Sequence, residues 1–286
     1  MPASLVSKET FLRAVAGAAT IELSAYTLRR GEPVVRAIER AADHGARASV
    51  TLEGAPFEDD TSDGLAKQNR FVARELRGHG VDVHLTGADE RAEHLKAAIV
   101  DGTAFLDDCN WPAYGTDTIV ATRDRDDVAA VTSALAGKPG ADRHLATDKS
   151  AALELEARAI LNAAGEAIDV ESESFGSSAV SKAIRYRAAH GTHVRLLVAA
   201  HEFAERNNVR ERATLQSLAA SGVEVRVAWG VDEKMCVGED RGWIGSANAT
   251  YAGTPMADWG MFTMQTTLLE GLRAAFERNW NAARPM

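Results

Sequence analysis

The sequence predicts an α/β protein built from two similar lobes, each a mostly parallel β-sheet flanked by helices. Three observations support this fold class. Short β-rich runs alternate with longer stretches of helical periodicity. The order of these runs repeats in the two halves of the chain, and a histidine–lysine–aspartate pattern has a variant at the same place in the second half. Self-similarity with a period near half the chain is typical of a duplicated domain.

The repeat is longer than the motif. Three pairs of runs match in the same order: 21–28 with 168–175, 36–52 with 182–198, and 78–87 with 220–229. Between the halves lies a polar segment with Gly and Pro. We therefore expect a first lobe over 1–136, a linker over 137–150 and a second lobe over 151–286.

The elements follow from local patterns. Charged residues interrupt the N-terminal stretch, so we predict a first helix and strand there rather than a signal peptide. In each half the next helical pattern ends at a glycine, Gly45 or Gly191, which is a typical stop signal. The preceding His44 and His190 are expected to contact the last helical carbonyls. The chain shows no run of apolar residues long enough to predict a membrane span.

The stretch EHLKAAIVDGTAFLDDCN, residues 93–110, predicts a hairpin. Its alternation indicates a strand in which His94 and Lys96 share one face. The Asp101-Gly102 pair is a strong turn signal. The return strand TAFLD should then deliver Asn110 near His94.

The stretch VDEKMCVGEDRGWIGSAN, residues 231–248, has the same spacing. Asp232 takes the place of the histidine, and it shares a strand face with Lys234. The return strand leads to Ser246 and Asn248. The same pattern is therefore present twice, with its most reactive residue changed in the second copy.

The two copies resemble the signature of the phospholipase D superfamily, H-x-K-x4-D followed by G-S-x-N, which occurs twice per active site. The first copy matches as His94-x-Lys96-x4-Asp101, but its second part reads Asp107-Asp108-Cys109-Asn110. The second copy reads Asp232-x-Lys234-x4-Glu239, followed by an intact Gly245-Ser246-Ala247-Asn248. Family members carry a carboxylate beyond each asparagine, and here Asp117 and Asp258 lie at about that place. The resemblance covers nearly the whole chain.

The resemblance implies a phospholipase D-like fold in which both copies serve one active site between the lobes. It implies cleavage of phosphodiesters through a phosphohistidine, with no metal and no cofactor. His94 would be the nucleophile, and a second group would act as acid and then as base. The phosphate would be held by Lys96, Lys234, Asn110, Asn248 and Ser246. The site would be supported by Asp101, Glu239, Asp117 and Asp258.

Asp232 stands where the family has its acid/base histidine. An ordinary aspartate is ionised at neutral pH and is a poor proton donor. Asp232 could be an acid/base whose pKa is raised, or a base for water only, or a sign that the site binds phosphate without turnover. His201, at the end of a predicted strand, is the candidate to replace the missing donor. Glu171 and Glu173 also end a strand, and one of them could line the cleft, but we expect a solvated strand end there.

Composition narrows the function classes. The formal net charge is −9, which works against sequence-blind binding of nucleic acid. Two cysteines, Cys109 and Cys236, make no disulfide framework and favour a reducing, cytoplasmic setting. Phospholipid is therefore favoured over nucleic acid as the phosphodiester substrate. A nuclease and an inactive phosphate-binding protein are the alternatives. Because both copies lie in one chain, a monomer suffices for one complete site.

Overall fold

The chain forms two compact units. The computed structural model describes residues 3–56, 64–111, 118–200, 209–253 and 255–286. The first unit contains Met1–Gly140 together with Pro255–Trp259, and the second contains Ala141–Thr254 together with Gly260–Met286. The short segment 255–259 thus packs with residues far away from it in sequence.

The first unit is a sheet with helices packed on it. Its strands are β1 (Ser4–Val6), β2 (Thr20–Ala25), β3 (Arg47–Leu52), β4 (Asp82–Leu85), β5 (Ala92–Glu93), β6 (Ala97–Val100), β7 (Thr103–Asp107) and β8 (Ile119–Thr122). Its helices are α1 (Lys8–Ala16), α2 (Pro33–Asp43), α3 (Leu65–Gly78) and α4 (Arg125–Leu135). The strand order is β1-β8-β7-β6-β2-β3-β4. Helix α2 packs on β3, α3 on β4, and α4 on β6 and β7.

The second unit repeats this design. Its strands are β9 (Leu145–Asp148), β10 (Ala167–Ser172), β11 (His193–Ala199), β12 (Glu224–Ala228), β13 (Met235–Val237), β14 (Gly242–Gly245), the later part of β15 (Met256–Thr263) and β16 (Arg284–Pro285). Its helices in the described part are α5 (Lys149–Asn162), α6 (Ala179–Ala189), α7 (Val209–Ala220) and α8 (Thr266–Ala282). The strand order is β16-β12-β11-β10-β13-β14-β15, and β9 pairs with β15.

The predicted fold class is confirmed, but the sheets are mixed rather than mostly parallel. Strands β2, β3 and β4 pair in parallel, as do β10, β11 and β12. The motif strands pair antiparallel, with β6 between β2 and β7 and with β13 between β10 and β14. The reason is the short turn inside each motif, with two residues between β6 and β7 and four between β13 and β14, because such a short connection joins only antiparallel strands.

Most elements lie where their patterns predicted them. The N-terminal helix and strand are α1 and β2, whereas β1 was not predicted. His44 and His190 end α2 and α6, and their Nδ1 atoms lie 2.6 and 2.7 Å from Arg40 O and Tyr186 O. The segment 137–150, expected as a linker, contains β9 and the start of α5. Asp148 ends β9 and caps α5 by accepting from Ala151 N, so a polar residue here starts a helix.

Each unit has its own hydrophobic core. In the first, Phe11, Val35 and Leu76 are among the buried side chains, and in the second Phe175, Val194 and Trp243 are. The duplicated pattern therefore encodes two cores, as two separately folded sheets require. None of the described helices combines the length and apolar character needed to traverse a lipid bilayer.

A tight contact in the second unit gives a test of its core. A Cβ added to Gly260 would lie 2.5 Å from Nε1 of Trp243, whose side chain is fully buried. Because the indole has no room to move, Gly260→Ala should lower the free energy of unfolding by roughly 1–3 kcal/mol. Chemical denaturation measures this value.

Gly78→Ala is the matched control for this variant. A Cβ at Gly78 would meet nothing within 4 Å, so its free energy of unfolding should stay near that of the wild type. If Gly260→Ala and Gly78→Ala had the same free energy of unfolding, the expectation would be wrong, and the Trp243 side chain would be able to move aside for the added Cβ.

Candidate active site

The first motif copy is a hairpin with a tight turn. Strands β6 and β7 pair from Ala97 with Leu106 to Val100 with Thr103. Asp101 and Gly102 have φ of 46° and 76° and form the predicted turn. The strand predicted from His94 is shorter than expected, since β6 begins at Ala97. The cause is a switch of partner, because His94 N donates to Ala257 O at 3.1 Å.

His94 is held by a buried carboxylate. Its Nδ1 lies 2.9 Å from Asp258 Oδ1, and the exposed fractions of the two side chains are 17% and 0%. Lys96 Nζ lies 2.6 Å from Nδ1 and 2.7 Å from Nε2 of the same ring. The ring of Tyr26 meets the His94 ring edge to face, with centroids 5.0 Å apart. Lys96 is buried as well and lies 5.8 Å from the Tyr26 centroid.

Asp258 reaches this place through the start of β15. Met256 and Ala257 pair in parallel with Ala92 and Glu93. Trp259 Nε1 donates to Asp107 O at 2.7 Å, which ties the segment to the end of β7. The carboxylate beyond the second asparagine, expected to support the site, therefore contacts the nucleophile proposed for the first copy.

Glu93 precedes the histidine and is half-buried. Its backbone N–H donates to Glu53 Oε2 at 2.6 Å, and its own carboxyl accepts from Leu95 N at 3.0 Å. Burial raises the pKa of Glu93 to about 7. The backbone on both sides of His94 is thus fixed by hydrogen bonds to carboxyl groups.

Asn110 follows β7 in a strained turn. Trp111 has a φ of 52°, and its N–H donates to Asp107 Oδ2 at 2.6 Å. Its indole donates to Ser24 O at 2.9 Å. Asp107 and Asp108, which replace the Gly and Ser of the motif, are fully buried. Within the described residues, the buried Asn110 Oδ1 has no hydrogen-bond partner. Asp117, expected to support the site, lies outside the described residues.

Asp101 does not lie beside His94 in the hairpin. It lies in the turn that follows β6, whereas Lys96 precedes β6. The Asp101 carboxylate accepts hydrogen bonds from Ala19 N, Thr20 N and Thr20 Oγ1 at 2.9–3.1 Å. These bonds, first the one from the Thr20 backbone, hold the pKa of Asp101 below its usual value. Asp101 therefore anchors the hairpin to the start of β2.

The second copy is a matching hairpin, but the carboxylate that ties its turn to a neighbouring backbone lies one residue later in the sequence. Strands β13 and β14 pair from Met235 with Ile244 to Val237 with Gly242. Glu239 occupies the place of Asp101, yet the next residue, Asp240, accepts from Ala164 N at 2.8 Å. The side chain of Arg241, together with this bond, lowers the pKa of Asp240 to about 2.

Lys234 and Asn248 meet at a carboxylate. Lys234 Nζ, 3% exposed, lies 2.9 Å from Glu173 Oε2. Asn248 Nδ2 donates to the same oxygen at 3.4 Å, and Asn248 Oδ1 accepts from Ser174 N at 3.1 Å. Ser246 is fully buried. Glu173 was expected at a solvated strand end, and that prediction is wrong because it pairs with two of the motif residues.

Glu171 was also expected to be solvated, but it is fully buried. Asn279 Nδ2 donates to Glu171 Oε1 at 2.9 Å and to Glu233 Oε2 at 3.4 Å. Burial, and then the Glu233 carboxyl, raise the pKa of Glu171 well above its usual value. Asp232 is half-buried, and its backbone carbonyl accepts from Lys234 Nζ at 2.5 Å. The part of the second unit around the motif is therefore rich in carboxyl groups.

The remaining candidate residues are one histidine and two cysteines. His201 lies outside the described residues. Cys236 is buried and Cys109 is half-buried, and both are free thiols. Burial raises the pKa of the Cys236 thiol well above its usual value, so this thiol is suited to packing rather than to chemistry.

Comparisons with known proteins bear on the family and on the fold. A family model described as "Cardiolipin synthase, PLD-like domain" matches residues 157–280. No curated protein sequence gives a significant match. Residues 157–280, in the second half of the chain, are therefore similar to a PLD-like domain.

Two solved structures show the fold. A phosphatidylserine synthase from Haemophilus influenzae Rd KW20 is similar with a TM-score of 0.69 and 10% identity, over 99% of this chain and 87% of that one. A polyphosphate kinase from Porphyromonas gingivalis is similar with a TM-score of 0.65 and 16% identity, over 98% of this chain. This chain spans half the length of the kinase.

The anchoring role of Asp101 can be tested through pH. Its lowered pKa means that it stabilises the fold above the ordinary aspartate pKa, and that this contribution is lost as the pH falls through the lowered value. Asp101→Asn should therefore lower Tm at neutral pH, and its Tm should converge on that of the wild type below a pH of about 4. Asparagine tolerates the left-handed φ, so the change isolates the charge. Thermal unfolding over a pH series measures it.

Glu239→Gln is the control at the matching turn position of the second copy. Because Asp240 makes the anchoring bond there, this variant should leave Tm nearly unchanged. Equal losses in the two variants would contradict the anchoring role of Asp101.

Proposed function

We propose that the chain is a phospholipase D-like phosphodiesterase in which His94 attacks phosphorus without a metal. The bond between His94 Nδ1 and the buried Asp258 carboxylate carries this proposal. A carboxylate only accepts, so it fixes the proton on Nδ1 and leaves the lone pair of the neutral ring on Nε2. The same bond stabilises the cationic ring that forms when Nε2 bonds to phosphorus.

Lys96 lies against the same ring. Its ammonium is 2.6 Å from Nδ1 and 2.7 Å from Nε2, and it has hydrogens to donate but no lone pair to accept. A phosphodiester is a stronger attraction for this ammonium than a neutral imidazole, so the bound phosphate would draw Lys96 to its oxygen. That shift would free the Nε2 lone pair for attack. Lys96 then stabilises the charge on the non-bridging oxygens.

The second copy carries donors of its own that suit a phosphate. Lys234 and Asn248 point their donors at the Glu173 carboxylate oxygen. A carboxylate and a phosphate present similar anionic acceptors, so these donors suit a phosphate oxygen. Ser246 and Asn110 complete the set of proposed ligands. Asp232 remains a candidate acid or base.

Phospholipid is the proposed class of substrate. The matching family model is described by the name of a cardiolipin synthase, whose product is a lipid phosphodiester. The net charge of −9 opposes the many phosphate contacts on which nucleic acid binding depends. Water as the acceptor gives hydrolysis, and an alcohol gives transfer of the headgroup.

The experiment measures turnover of bis(p-nitrophenyl) phosphate and of phosphatidylcholine in the presence of EDTA. His94→Ala should lose at least about 10⁴-fold in kcat, because it removes the nucleophile. Asp258→Asn should lose about 10²–10⁴-fold, because the ring is no longer held in the reactive tautomer. A phosphorylated His94 peptide should be found by mass spectrometry after rapid quenching.

His84→Ala is the matched control. His84 is exposed and lies 3.1 Å from Glu90 Oε2, so it is a histidine paired with a carboxylate outside the motif. It should keep wild-type turnover. Full activity in His94→Ala would remove the nucleophile assignment. Binding of a phosphodiester by the wild type without turnover would favour the phosphate-binding alternative, and turnover of DNA but not lipid would favour the nuclease.

A further inference from the structure

The first unit contains a cleft between helix α1 and the sheet, and His94 does not line it. The volume of the cleft is about 590 Å³, which is within the range of small-molecule sites. Thr10 and Ala14 of α1 form one wall, and the floor comes from β1, β6, β7 and β8 with the turn and the residue that follow β6 and β8. All of these elements belong to the first unit. The cleft is therefore complete within a single unit.

One end of the cleft is apolar. Val6, Ala14 and Ala121 line it and are only partly buried, although they pack against the hydrophobic core. Phe105 lines it as well, and its ring centroid lies 5.2 Å from that of Phe11 in the core. These side chains present apolar surface to the cleft, and burial of such surface under an aliphatic chain is favourable.

The other end carries a cation. Arg123 is exposed, and its Nε donates to Thr103 Oγ1 at 2.9 Å. In the described part of the chain, no ion pair engages the Arg123 guanidinium. The bond to Thr103 uses Nε and leaves the two terminal nitrogens for a ligand. A planar guanidinium binds a carboxylate through parallel N–H bonds, so this end suits an anionic head group.

The strand register gives the distance between the two ends. Val6 of β1 pairs with Ile119 of β8, and Arg123 comes four residues after Ile119. At about 3.3 Å a residue, the floor from Val6 to Arg123 spans roughly 13 Å. An extended aliphatic chain of about ten carbons has a similar length, since each carbon–carbon bond of about 1.5 Å advances it by roughly 1.25 Å.

Asp101 limits the charge that the ligand can carry. It lines the same cleft, and its carboxylate accepts hydrogen bonds from Ala19 N and Thr20 N. A negative charge in the cleft repels a dianion more strongly than a monoanion. A carboxylate head group is therefore favoured over a phosphate.

We propose that this cleft is a binding site for a medium-chain fatty acid. Its carboxylate pairs with Arg123, and its chain lies along Phe105 and Ala14 towards Val6. The cation and the apolar side chains stand in the order and at the separation that such a ligand requires. The inference does not depend on the proposed phosphodiesterase activity, because no residue of that reaction lines the cleft except Asp101, which supports the hairpin turn.

A chain-length series tests the apolar end. In calorimetric titrations of the full chain at neutral pH, hexanoate, octanoate and decanoate should each bind at one site. Every two added carbons should tighten Kd about tenfold, because two more methylene groups leave water. Equal affinity for the three acids, absence of decanoate binding, or unsaturable binding of many molecules would each overturn the proposal.

A matched pair of variants places the chain in the cleft. Ala14→Leu adds bulk to the cleft wall and should weaken decanoate binding at least about tenfold. Ala16→Leu is the control, because Ala16 lies in the same helix and is half-buried but does not line the cleft. It should bind decanoate as the wild type does. Equal affinities of the two variants would overturn the placement.

The charged end is tested with an exposed residue, whose substitution leaves the core intact. Arg123→Gln should weaken octanoate binding about tenfold and leave the binding of 1-octanol unchanged, because the alcohol has the same chain without the charge. Arg125→Gln is the control, since Arg125 is exposed and does not line the cleft. Unchanged octanoate binding in Arg123→Gln, or an equal loss for octanoate and 1-octanol, would overturn the proposal.

Discussion

The hydrogen bond between His94 and Asp258 is the constraint on which the first unit's site depends. A fully buried carboxylate is costly unless it is paired and hydrogen-bonded. It is placed by a five-residue segment that returns to the first unit after nearly the whole second unit. The backbone of that segment pairs with β5, and Trp259 donates to Asp107 O. These contacts on both sides fix the position of Asp258. The pair between His94 and Asp258 therefore forms only when the segment 255–259 has joined the first unit.

Local patterns predicted the parts of the site that local chemistry determines. The Asp101-Gly102 turn follows from the positive φ that both residues adopt there. The hairpin strand TAFLD is β7 without a change of boundary. The helix ends at His44 and His190 are set by glycines that follow them. In each case one or two neighbouring residues decide the backbone, so no information from elsewhere in the chain is needed.

The parts that were missed depend on distant partners. Strand β6 starts late because Ala257 captures the His94 N–H. Glu173 had been assigned to solvent because it ends a strand, but its partners Lys234 and Asn248 lie more than sixty residues away in sequence. Asp240 replaces Glu239 as the anchor because Ala164, the residue it must reach, comes from another element. Spacing within a motif carries no trace of such contacts.

The second copy differs from the first by carboxyl groups at two positions. A neutral imidazole has been replaced by Asp232, and Tyr26 of the first half has Glu173 as its counterpart. A phosphodiester brought to this part of the second unit would meet several carboxyl groups and one buried lysine, so repulsion would dominate if all of them stayed ionised. Burial and the neighbouring Glu233 carboxyl already raise the pKa of Glu171 well above its usual value. The motif region of the second unit therefore favours protonation of at least one of its carboxyl groups.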